Sequence, residues 1–530
     1  MATQTLVLLY KLSFYKRKNF LARGRPTRGR HARAKTGGWA LAIIFYLLNP
    51  KSKTNLPPGP KPLPIVGNLF ILGDKPHRSL AQLAKSYGPI ISLKLGQVTT
   101  IVVSSPDLAR EVLVKKDQSF CSRSIPDAVR IVGHYDGSPV WLPANQKWKN
   151  LRIICRSQLF TSQRLDSNIA LRHKKVRELV EYLRERGEAK EAVDIGRVVF
   201  TAVMNSLTNT LFSIDMVDPR SDSAQEFRDL VWGIMEVVGS ANVSDFFPLV
   251  RELDLQGKRR RTEGYFRKLH RIFDELIDRK LKEIELGNET DKDFLDALLN
   301  GQNKLDRYDI KPLLVVTTSN FPSACDLKDV FVAGTDTNSN TVEWAMAELL
   351  RSPDIMAKAR AELLESFDKE SELDELDILS LPYLQAIVKE TLRLHPPAPF
   401  LLPRQNETNT ELFGYSIPKH SRILVNAWAI GRHESVWKDP DIFMPERFLE
   451  SDVDYKGRDF ELIPFGAGRR ICPGLPLALR IVHLMLASLL FYFKWELVDG
   501  MRAEDVDLRE KFGVTLALAN PVRAIPVPDK

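Results

Sequence analysis

Cysteine is scarce in this chain of 530 residues, which contains only Cys121, Cys155, Cys325 and Cys472. Four scattered cysteines are too few for a secreted disulfide scaffold, and none lies in a CxxC pair or in a Cys/His spacing typical of zinc sites. We therefore expect the folded part to face a reducing compartment. A cysteine without such a context is usually a small buried side chain, and we assign Cys121, Cys155 and Cys325 to that class.

Acidic residues are missing from positions 1–55, which hold twelve lysines and arginines. This head accounts for the net charge of +9, because the rest of the chain has 64 basic and 67 acidic residues. A protein that binds nucleic acid usually carries its basic patch on the folded domain. The distribution therefore argues against nucleic acid and indicates a targeting or membrane-surface segment.

The head also lacks a hydrophobic run long enough to span a bilayer. Residues 37–48 are apolar without interruption, but twelve residues form a helix of only about 18 Å, against about 30 Å of hydrocarbon. Basic residues flank this run on both sides, which places both flanks on the cytoplasmic side. We predict a monotopic or re-entrant membrane anchor in residues 1–55. An arginine-rich organellar transit peptide is the alternative.

A proline-rich hinge, LPPGPKPLP, follows at residues 56–64 and predicts a stiff extended spacer. Beyond it we find no internal repeat and no break in composition, so residues 65–530 form one predicted domain. Runs 90–95 and 99–103 are rich in β-formers, whereas segments 77–87, 174–186, 264–286, 353–367 and 381–394 have helical periodicity. The predicted fold is mainly α with small β-sheets.

The segment FGAGRRICPG at residues 465–474 is the most informative part of the sequence. A cysteine that serves as an anionic metal ligand needs a lowered pKa, which a helix N-terminus and a nearby cation supply. Pro473 suits the first turn of a following helix, and Arg470 is close in sequence to Cys472. The loop also begins like a dinucleotide-binding GxGxxG motif, but Ile471 occupies the third glycine position and breaks it.

Two further patterns lie on predicted helices. Glu390 and Arg393 are three residues apart, so their side chains share a helix face and can pair. Residues 333–337, AGTDT, place a glycine and two threonines inside a helix, where all three are poor helix formers. A local rule broken within a good helix favours a functional distortion, in which Thr337 leaves the carbonyl four residues before it and faces a ligand.

Together these motifs resemble the cytochrome P450 family. The haem-thiolate signature FxxGxRxCxG is matched at Phe465, Gly468, Arg470, Cys472 and Gly474. An ExxR pair, a PERF element at residues 445–448 and an AGxDT motif accompany it. The resemblance covers about residues 56–530. The sequences of its motifs are most similar to those of A-type plant microsomal members, in the group of geraniol 8-hydroxylase and related terpenoid hydroxylases. It implies the cytochrome P450 fold, a helical prism enclosing haem.

The resemblance also implies the roles of individual residues. Cys472 would ligate the iron of haem b, and further cofactor-binding residues would be Arg470, Trp148, Arg152, Arg404, Phe465 and Gly466. Glu390, Arg393 and Arg447 would form a buried structural network. Thr337 would donate protons during oxygen activation, Asp336 would relay them, and Gly334 would open the helix for dioxygen. The implied substrate pocket consists of Val132, Phe331, Ala333, Phe400, Leu401, Val514 and Thr515.

The implied activity is monooxygenation: one atom of dioxygen enters an apolar small molecule, and a terpenoid hydroxylation is expected because that pocket is apolar apart from Thr515. Electrons would come from NADPH-cytochrome P450 reductase, since the sequence shows no flavin module. We expect the endoplasmic reticulum membrane, with the domain on its cytosolic face; a plastid is the alternative. Two other activities stay open, a haem-thiolate peroxide isomerase and a haem protein without oxygenase turnover, although Asp336 and Thr337 favour a monooxygenase. A membrane-tethered interaction protein without haem would show no Soret band.

Residues 312–325 depart from the family pattern. Pro312 and Pro322 prevent one helix from running into the AGTDT motif from far upstream, because each proline would cost about 3 kcal/mol inside a helix. About a dozen residues are extra relative to the family, as a retained intron would produce. Ser323 and Asp326 resemble a capping box, so we predict that the helix begins near residue 324 and ends near Arg351, after a mobile loop at 315–322.

Deleting about a dozen residues from Val315 onward should therefore tighten substrate binding and raise thermal stability, because a shorter loop costs less entropy to close. Haem incorporation should be unchanged, since the cysteine loop lies far downstream. Spectral titration and thermal unfolding of the two chains measure these effects. Loss of haem in the shortened chain would show that the segment is a genuine structural element.

Overall fold

The computed structural model describes residues 55–286, 325–368, 372–498 and 500–529, and the predictions for the basic head and for residues 312–324 lie outside these ranges. Most of the described residues are helical. The α-helices are α1 (Pro76–Tyr87), α2 (Pro106–Arg110), α3 (Asp117–Phe120), α4 (Asp127–Arg130), α5 (Gln146–Ile154), α6 (Ser162–Ser167), α7 (Ile169–Glu188), α8 (Ile195–Phe212), α9 (Ser223–Gly239), α10 (Val243–Phe246), α11 (Lys258–Glu285), α12 (Cys325–Arg351), α13 (Pro353–Ser366), α14 (Glu375–Ile378), α15 (Pro382–Leu394), α16 (Ala427–Ile430) and α17 (Leu475–Tyr492).

The strands form four small sheets. They are β1 (Ile90–Leu95), β2 (Val98–Val103), β3 (Ser122–Arg123), β4 (Val193–Asp194), β5 (Arg404–Gln405), β6 (Thr410–Leu412), β7 (Tyr415–Ile417), β8 (Arg422–Val425), β9 (Phe493–Leu497), β10 (Glu510–Phe512), β11 (Leu516–Leu518) and β12 (Arg523–Pro528). The largest sheet has the order β1-β2-β8-β5-β3, and only its β2–β8 pair is parallel. A three-stranded sheet, β4-β12-β9, and the hairpins β6–β7 and β10–β11 complete the set. The predicted fold class, mainly α with small sheets, is confirmed.

Helix α12 runs through the middle of the fold and packs along α8, with α15 and α17 on its other sides. Its apolar residues from Val342 to Leu350 belong to the largest core cluster, in which Trp344 is 1% exposed. The indole of Trp344 stacks on the ring of His395 with 3.9 Å between centroids. Burial of an aromatic side chain contributes about 1.5–3 kcal/mol, so this contact fixes the helix firmly.

The polar middle of α12 remains helical because its side chains bond to the helix itself. The hydroxyls of Thr335, Thr337 and Ser339 each donate to the carbonyl four residues earlier, at 2.7, 2.6 and 2.9 Å. The Asn338 amide donates to the carbonyl of Gly334 at 2.7 Å. Such bonds satisfy side chains that would otherwise be buried without partners. The described helix, Cys325–Arg351, agrees with the predicted range.

Helix α17 is apolar apart from Arg480, His483 and Ser488. It is long and apolar enough to cross a bilayer, but 72% of it is buried inside the fold. A buried helix of this kind is apolar on all sides because neighbouring elements cover it on all sides. We therefore assign α17 to the core and not to a membrane.

The proline-rich segment is not a free spacer, because its backbone is bonded to strand β1. The Ser92 hydroxyl on β1 donates to the Pro57 carbonyl at 2.6 Å, and the Ser92 amide donates to the Pro58 carbonyl at 2.9 Å. A Cβ on Gly59 would lie 2.1 Å from the Ser92 carbonyl oxygen, so only glycine allows this approach. The hinge is thus docked along the edge of the largest sheet.

Glu390 and Arg393 on α15 form a fully buried ion pair. The Arg393 Nε and Nη2 groups donate to the two Glu390 carboxylate oxygens at 2.7 and 2.8 Å. Arg447 follows in the turn Pro445–Phe448 and donates its Nε to Glu390 Oε1 at 3.1 Å. Arg393 also donates Nη1 to the carbonyl of Gly431 at 2.6 Å. The structure thus brings the three residues together, and they hold the chain segment that leads to the cysteine loop.

Replacing Glu390 with glutamine should strongly destabilise the protein, because two guanidinium groups would lose their buried counter-charge. Removal of one partner from a buried pair costs about 3–5 kcal/mol. The free energy of unfolding, followed by circular dichroism in denaturant, measures the loss. The matched control is Glu185→Gln, which breaks an exposed pair with Arg220 and should change nothing measurable. Equal effects of the two variants would contradict a structural role of the network.

Candidate active site

One internal cavity collects most of the residues that the sequence marked as functional. It is bounded by α12 on one side, by the cysteine loop and the start of α17 on another, and by the β10–β11 hairpin tip and the segment before β5. The predicted residues that line it are Trp148, Arg152, Ala333, Gly334, Thr337, Leu401, Arg404, Phe465, Gly466, Arg470, Cys472, Val514 and Thr515. The fold therefore joins motifs that lie more than 300 positions apart.

The cysteine loop is held by its own backbone. The Cys472 amide donates to the Phe465 carbonyl at 3.0 Å, which closes the loop at its two ends. Gly468 has a φ of 70°, and a Cβ there would lie 2.0 Å from the Leu113 carbonyl oxygen. The close contact of Gly468 is thus with the chain segment that contains Leu113. Of the three loop glycines, Gly466 and Gly474 line the cavity.

The helix after the cysteine begins later than predicted. Helix α17 starts at Leu475 with Gly474 as its N-cap, and Pro476 occupies the first turn where we had placed Pro473. The N–H groups of Gly474 and Leu475 nevertheless point at the Cys472 sulfur and lower the pKa of its thiol. This is the helix N-terminus that the sequence indicated.

The net shift of the thiol is opposite to the predicted one. Burial is the largest influence and raises the pKa of Cys472, against the backbone N–H groups and the positive charge of Arg152, which lower it. The arginine whose charge lowers the pKa of Cys472 is thus Arg152 and not Arg470. A partly buried thiol with N–H donors aimed at its sulfur loses its proton readily when a metal ion binds, because the positive charge of the metal adds to the effect of the N–H groups.

Four arginines surround the cavity wall near this cysteine. Arg152 donates Nη2 to the Ile471 carbonyl at 2.8 Å, and Arg470 donates Nη2 to the Leu142 carbonyl at 2.5 Å. Arg123 donates Nη1 to the Leu402 carbonyl at 2.8 Å. Arg404 follows on β5, paired with Arg123 on β3. Within the described ranges, no carboxylate forms an ion pair with any of the four.

Several buried N–H groups of these arginines have no hydrogen-bond partner among the described residues: Nη1 of Arg404, and both Nε and Nη1 of Arg470. Burial is the largest influence on both side chains and lowers the pKa of each to about 10. An unpaired buried cation costs several kcal/mol, so such a cluster requires an anion. The two carboxylates of a haem fit these groups, and Cys472 supplies the thiolate on the same cavity.

Trp148 completes this wall. Its indole N–H donates to the Pro139 carbonyl at 3.1 Å, and the Arg470 guanidinium lies over its ring at 4.7 Å from the centroid. Asn145 caps the helix that carries it, accepting a hydrogen bond from the Trp148 amide at 2.9 Å. Arg152 lies one turn further along the same helix, as the four-residue spacing requires. The Trp148 ring thus makes cation–π contacts with two arginines of the cluster, Arg470 and Arg152.

The residues of the AGTDT motif line the cavity differently from the sequence prediction. The helix is unbroken, and the Thr337 hydroxyl donates to the Ala333 carbonyl at 2.6 Å instead of leaving it. Gly334 does not open the helix; its absent side chain makes room for Leu207 of α8, whose Cδ1 would lie 3.0 Å from a Cβ. Both Gly334 and Thr337 still line the cavity. The predicted helix distortion is therefore wrong for this state of the protein.

Asp336 lies behind the cavity wall and is 5% exposed. Its Oδ2 accepts a hydrogen bond from the Thr515 hydroxyl at 2.6 Å. Burial raises the pKa of Asp336 to about 6, against the Thr515 hydrogen bond and the positive charge of Arg228, which lower it. Thr515 itself lines the cavity, so it connects Asp336 with the cavity surface. A carboxyl with this pKa can both hold and release a proton near neutral pH.

Three predicted pocket residues do not line the cavity. Phe331 is fully buried and packs edge-to-face against Phe227 and Phe273. Phe400 packs against Phe512, with 5.9 Å between ring centroids, and Val132 packs on the core around Phe331. For Phe331 the reason is helix rotation: its neighbours Val330, Val332 and Ala333 line the cavity, while Phe331 points between α9 and α11.

Sequence reasoning missed Arg123, His134 and Asp329, all of which line the cavity. The partner of Arg123 in the sheet, Arg404, is 281 positions away, and the partner of His134, Asp329, is 195 positions away. A spacing signal requires residues on one element, and these pairs join different elements. The one feature that distinguishes these residues is the burial of polar side chains, which becomes visible only in the folded structure.

Comparison with known proteins agrees with this geometry. The family model "Cytochrome P450" matches residues 57–521. A geraniol 8-hydroxylase from Catharanthus roseus is 50% identical over 486 residues, covering 91% of this chain and 96% of that protein. A geraniol 8-hydroxylase from Swertia mussotii is 50% identical, with coverage of 93% and 98%. A geranylhydroquinone 3''-hydroxylase from Arnebia euchroma is 45% identical, with coverage of 92% and 97%.

The arginine cluster predicts a contrast between adjacent residues. Replacing Arg470 or Arg404 with leucine should lower the haem content of the purified protein at least about tenfold, because a buried charge-assisted bond contributes about 1.5–3 kcal/mol. Absorbance per mole of chain measures it. The control is Arg469→Leu, which removes an exposed arginine paired with Asp117 and should leave haem content unchanged. Equal haem loss in all three variants would contradict the assignment.

Proposed function

Since this chain belongs to the cytochrome P450 family and is a haem-dependent monooxygenase, we propose that it hydroxylates a small terpenoid with few polar groups. The observation that supports this proposal is the composition of the cavity. One wall holds the Cys472 thiol and arginines without carboxylate partners among the described residues, and the other walls are mostly apolar. Relatives that cover nearly the whole chain are named for hydroxylation of geraniol and of a geranylhydroquinone. The apolar lining and these names support the same substrate class.

In this proposal Cys472 ligates the iron of haem b, and Arg404, Arg470 and Arg152 bind the carboxylates on the rim, with Trp148 beside them and Phe465 and Gly466 along the loop. When bound, haem would supply the monooxygenation chemistry, in which dioxygen, two electrons and two protons place one oxygen atom in a substrate C–H bond and convert the other to water. Two features of the chain prepare for this chemistry. The N–H groups of Gly474 and Leu475 stabilise the thiolate, and the apolar wall excludes water from the reacting carbon.

Proton supply is assigned to two residues of α12. The Thr337 hydroxyl faces the cavity and is held at the Ala333 carbonyl, from which a side-chain rotation can turn it toward a ligand. Asp336 accepts a hydrogen bond from the Thr515 hydroxyl at Oδ2, and Thr515 lines the cavity. Because burial raises its pKa to about 6, Asp336 is largely protonated below pH 6 and largely ionised above it. It can therefore take a proton from outside and pass it inward.

Electrons require a separate redox partner, which we propose to be NADPH-cytochrome P450 reductase. We also propose that the protein works on the cytosolic face of the endoplasmic reticulum membrane, with the head, residues 1–55, as its anchor. Two segments near the β1–β2 turn, residues 63–71 and 249–253, carry exposed apolar side chains that support membrane contact. These side chains are Leu63, Ile65, Phe70, Ile71, Leu249 and Leu253. The Gln97 amide in that turn donates to the Phe246 carbonyl, which attaches the turn to the chain just before the second segment.

The direct test is turnover of geraniol by the purified chain with the reductase, NADPH and isotopically labelled dioxygen. We expect one labelled oxygen atom per product and no product without the reductase. Rearrangement of an organic hydroperoxide without NADPH would instead identify a peroxide isomerase. Haem reduction without any oxygenated product, across a panel of terpenoids, would refute the proposed activity.

Thr337→Val should bind substrate normally but divert reducing equivalents to hydrogen peroxide, because the cavity loses its hydroxyl proton donor while the side chain keeps its shape. The ratio of product formed to NADPH consumed should fall several-fold. The control is Thr335→Val, which removes a fully buried hydroxyl on the same helix from a residue that does not line the cavity. An unchanged ratio in Thr337→Val, or an equal fall in the control, would remove Thr337 from the proton path.

A further inference from the structure

We propose that His134 and Asp329 form a hydroxyl-binding subsite, which holds the polar end of a terpenoid alcohol while the opposite end lies beside Thr337. The inference rests on the proposed function and deepens it, because it names the substrate class as an alcohol and predicts which carbon reacts. It assigns a role in specificity to two residues that belong to none of the sequence motifs described above.

The pair is built across two elements. His134 lies in the chain between α4 and α5, and Asp329 lies in the first turns of α12. The His134 Nε2 and Asp329 Oδ1 atoms are 2.7 Å apart, and the side chains are 6% and 10% exposed. The Ser138 hydroxyl donates to Asp329 Oδ2. Each carboxyl oxygen therefore has one partner, whereas a carboxylate offers about four acceptor positions. Asp329 thus keeps acceptor capacity, and it lines the cavity.

The surroundings of the pair are apolar. The His134 ring packs against Phe266 with 5.1 Å between centroids. Met235, Val238 and Leu269 from the two helices above it also line this end of the cavity. A polar pair in an apolar enclosure discriminates strongly, since a ligand without a hydroxyl leaves the carboxyl partly unsatisfied. The arginine cluster bonds instead to the carbonyls of Ile471, Leu142 and Leu402, so its hydrogen bonds do not involve the His134–Asp329 pair.

Helix α12 sets the distance between the subsite and the reacting end. Asp329, Ala333 and Thr337 all line the cavity and are spaced by four residues, so they form one ridge of the helix. Eight residues of α-helix span about 12 Å. That length is close to the span of about 10 Å from the hydroxyl oxygen to the far carbon of an extended eight-carbon chain, whose bonds are about 1.5 Å each. An acyclic alcohol bound by its hydroxyl at Asp329 thus reaches Thr337 with its far end.

Geraniol is the suitable probe because its hydroxyl lies at one end and carbon 8 at the other. The control ligand is 2,6-dimethylocta-2,6-diene, the same hydrocarbon skeleton without the hydroxyl. Spectral titration of the ferric holoenzyme measures binding of each ligand, and product analysis gives the position of hydroxylation. The variants are Asp329→Leu, Asp329→Asn and Ser138→Ala, and the carbon monoxide spectrum of each confirms that the fold and haem are intact.

We expect Asp329→Leu to weaken geraniol binding about 10- to 100-fold and to leave hydrocarbon binding unchanged within about twofold. The remaining products of this variant should be alcohols hydroxylated at several positions, because geraniol no longer binds in one orientation. Asp329→Asn keeps an acceptor and should restore most of the affinity and the selectivity. Ser138→Ala loosens the attachment of the loop but keeps the carboxyl, so it should retain the preference for the alcohol.

Equal losses for alcohol and hydrocarbon in Asp329→Leu, or the same effect from Ser138→Ala, would show that the pair only fastens the loop and would overturn the inference. Unchanged geraniol affinity and a single unchanged product would also overturn it, while the terpenoid activity would stand. If the wild-type chain hydroxylates neither ligand nor any other terpenoid, the proposed function itself fails and the subsite assignment falls with it.

Discussion

The structure depends on an electrostatic constraint: guanidinium groups are buried around one cavity without carboxylate partners among the described residues. Arg404 and Arg470 keep N–H groups that nothing in the described chain satisfies. A fold can tolerate such groups only if a bound anion compensates their desolvation, and burial alone already lowers the pKa of both. We therefore propose that the cavity binds a dianionic, thiolate-ligated cofactor and that its apolar remainder binds the substrate.

The other elements can be understood as supports for that arrangement. The Glu390–Arg393–Arg447 network uses charge balance within the protein to fix the segment that precedes the cysteine loop. The stacked Trp344 and His395 hold α12 in place, and Thr515 on the β10–β11 hairpin connects Asp336 to the cavity. Paired charges thus build the scaffold, whereas unpaired charges define the site. This separation explains why similar side chains have structural and binding roles in one fold.

Contiguous motifs allowed good prediction from the sequence, because their geometry is set within one loop or helix. The strand at Ile90–Leu95, the helix over residues 382–394 and the grouping around Cys472 follow from local pattern and family resemblance. Predictions failed where packing between elements decides. Helix rotation buries Phe331, burial raises the Cys472 pKa despite favourable N–H groups, and the bond to Ala333 keeps Thr337 in a regular helix. Arg123, His134 and Asp329 acquire their partners only through tertiary contacts.

The most direct test of the account is the difference spectrum of the reduced protein with and without carbon monoxide, for the wild-type chain and for Cys472→Ser. Thiolate ligation by Cys472 predicts the red-shifted Soret band from which the family takes its name, and serine cannot provide it. The account predicts this band in the wild type and its loss in the variant, even if the variant retains some haem. A Cys472→Ser protein that keeps the band would contradict it.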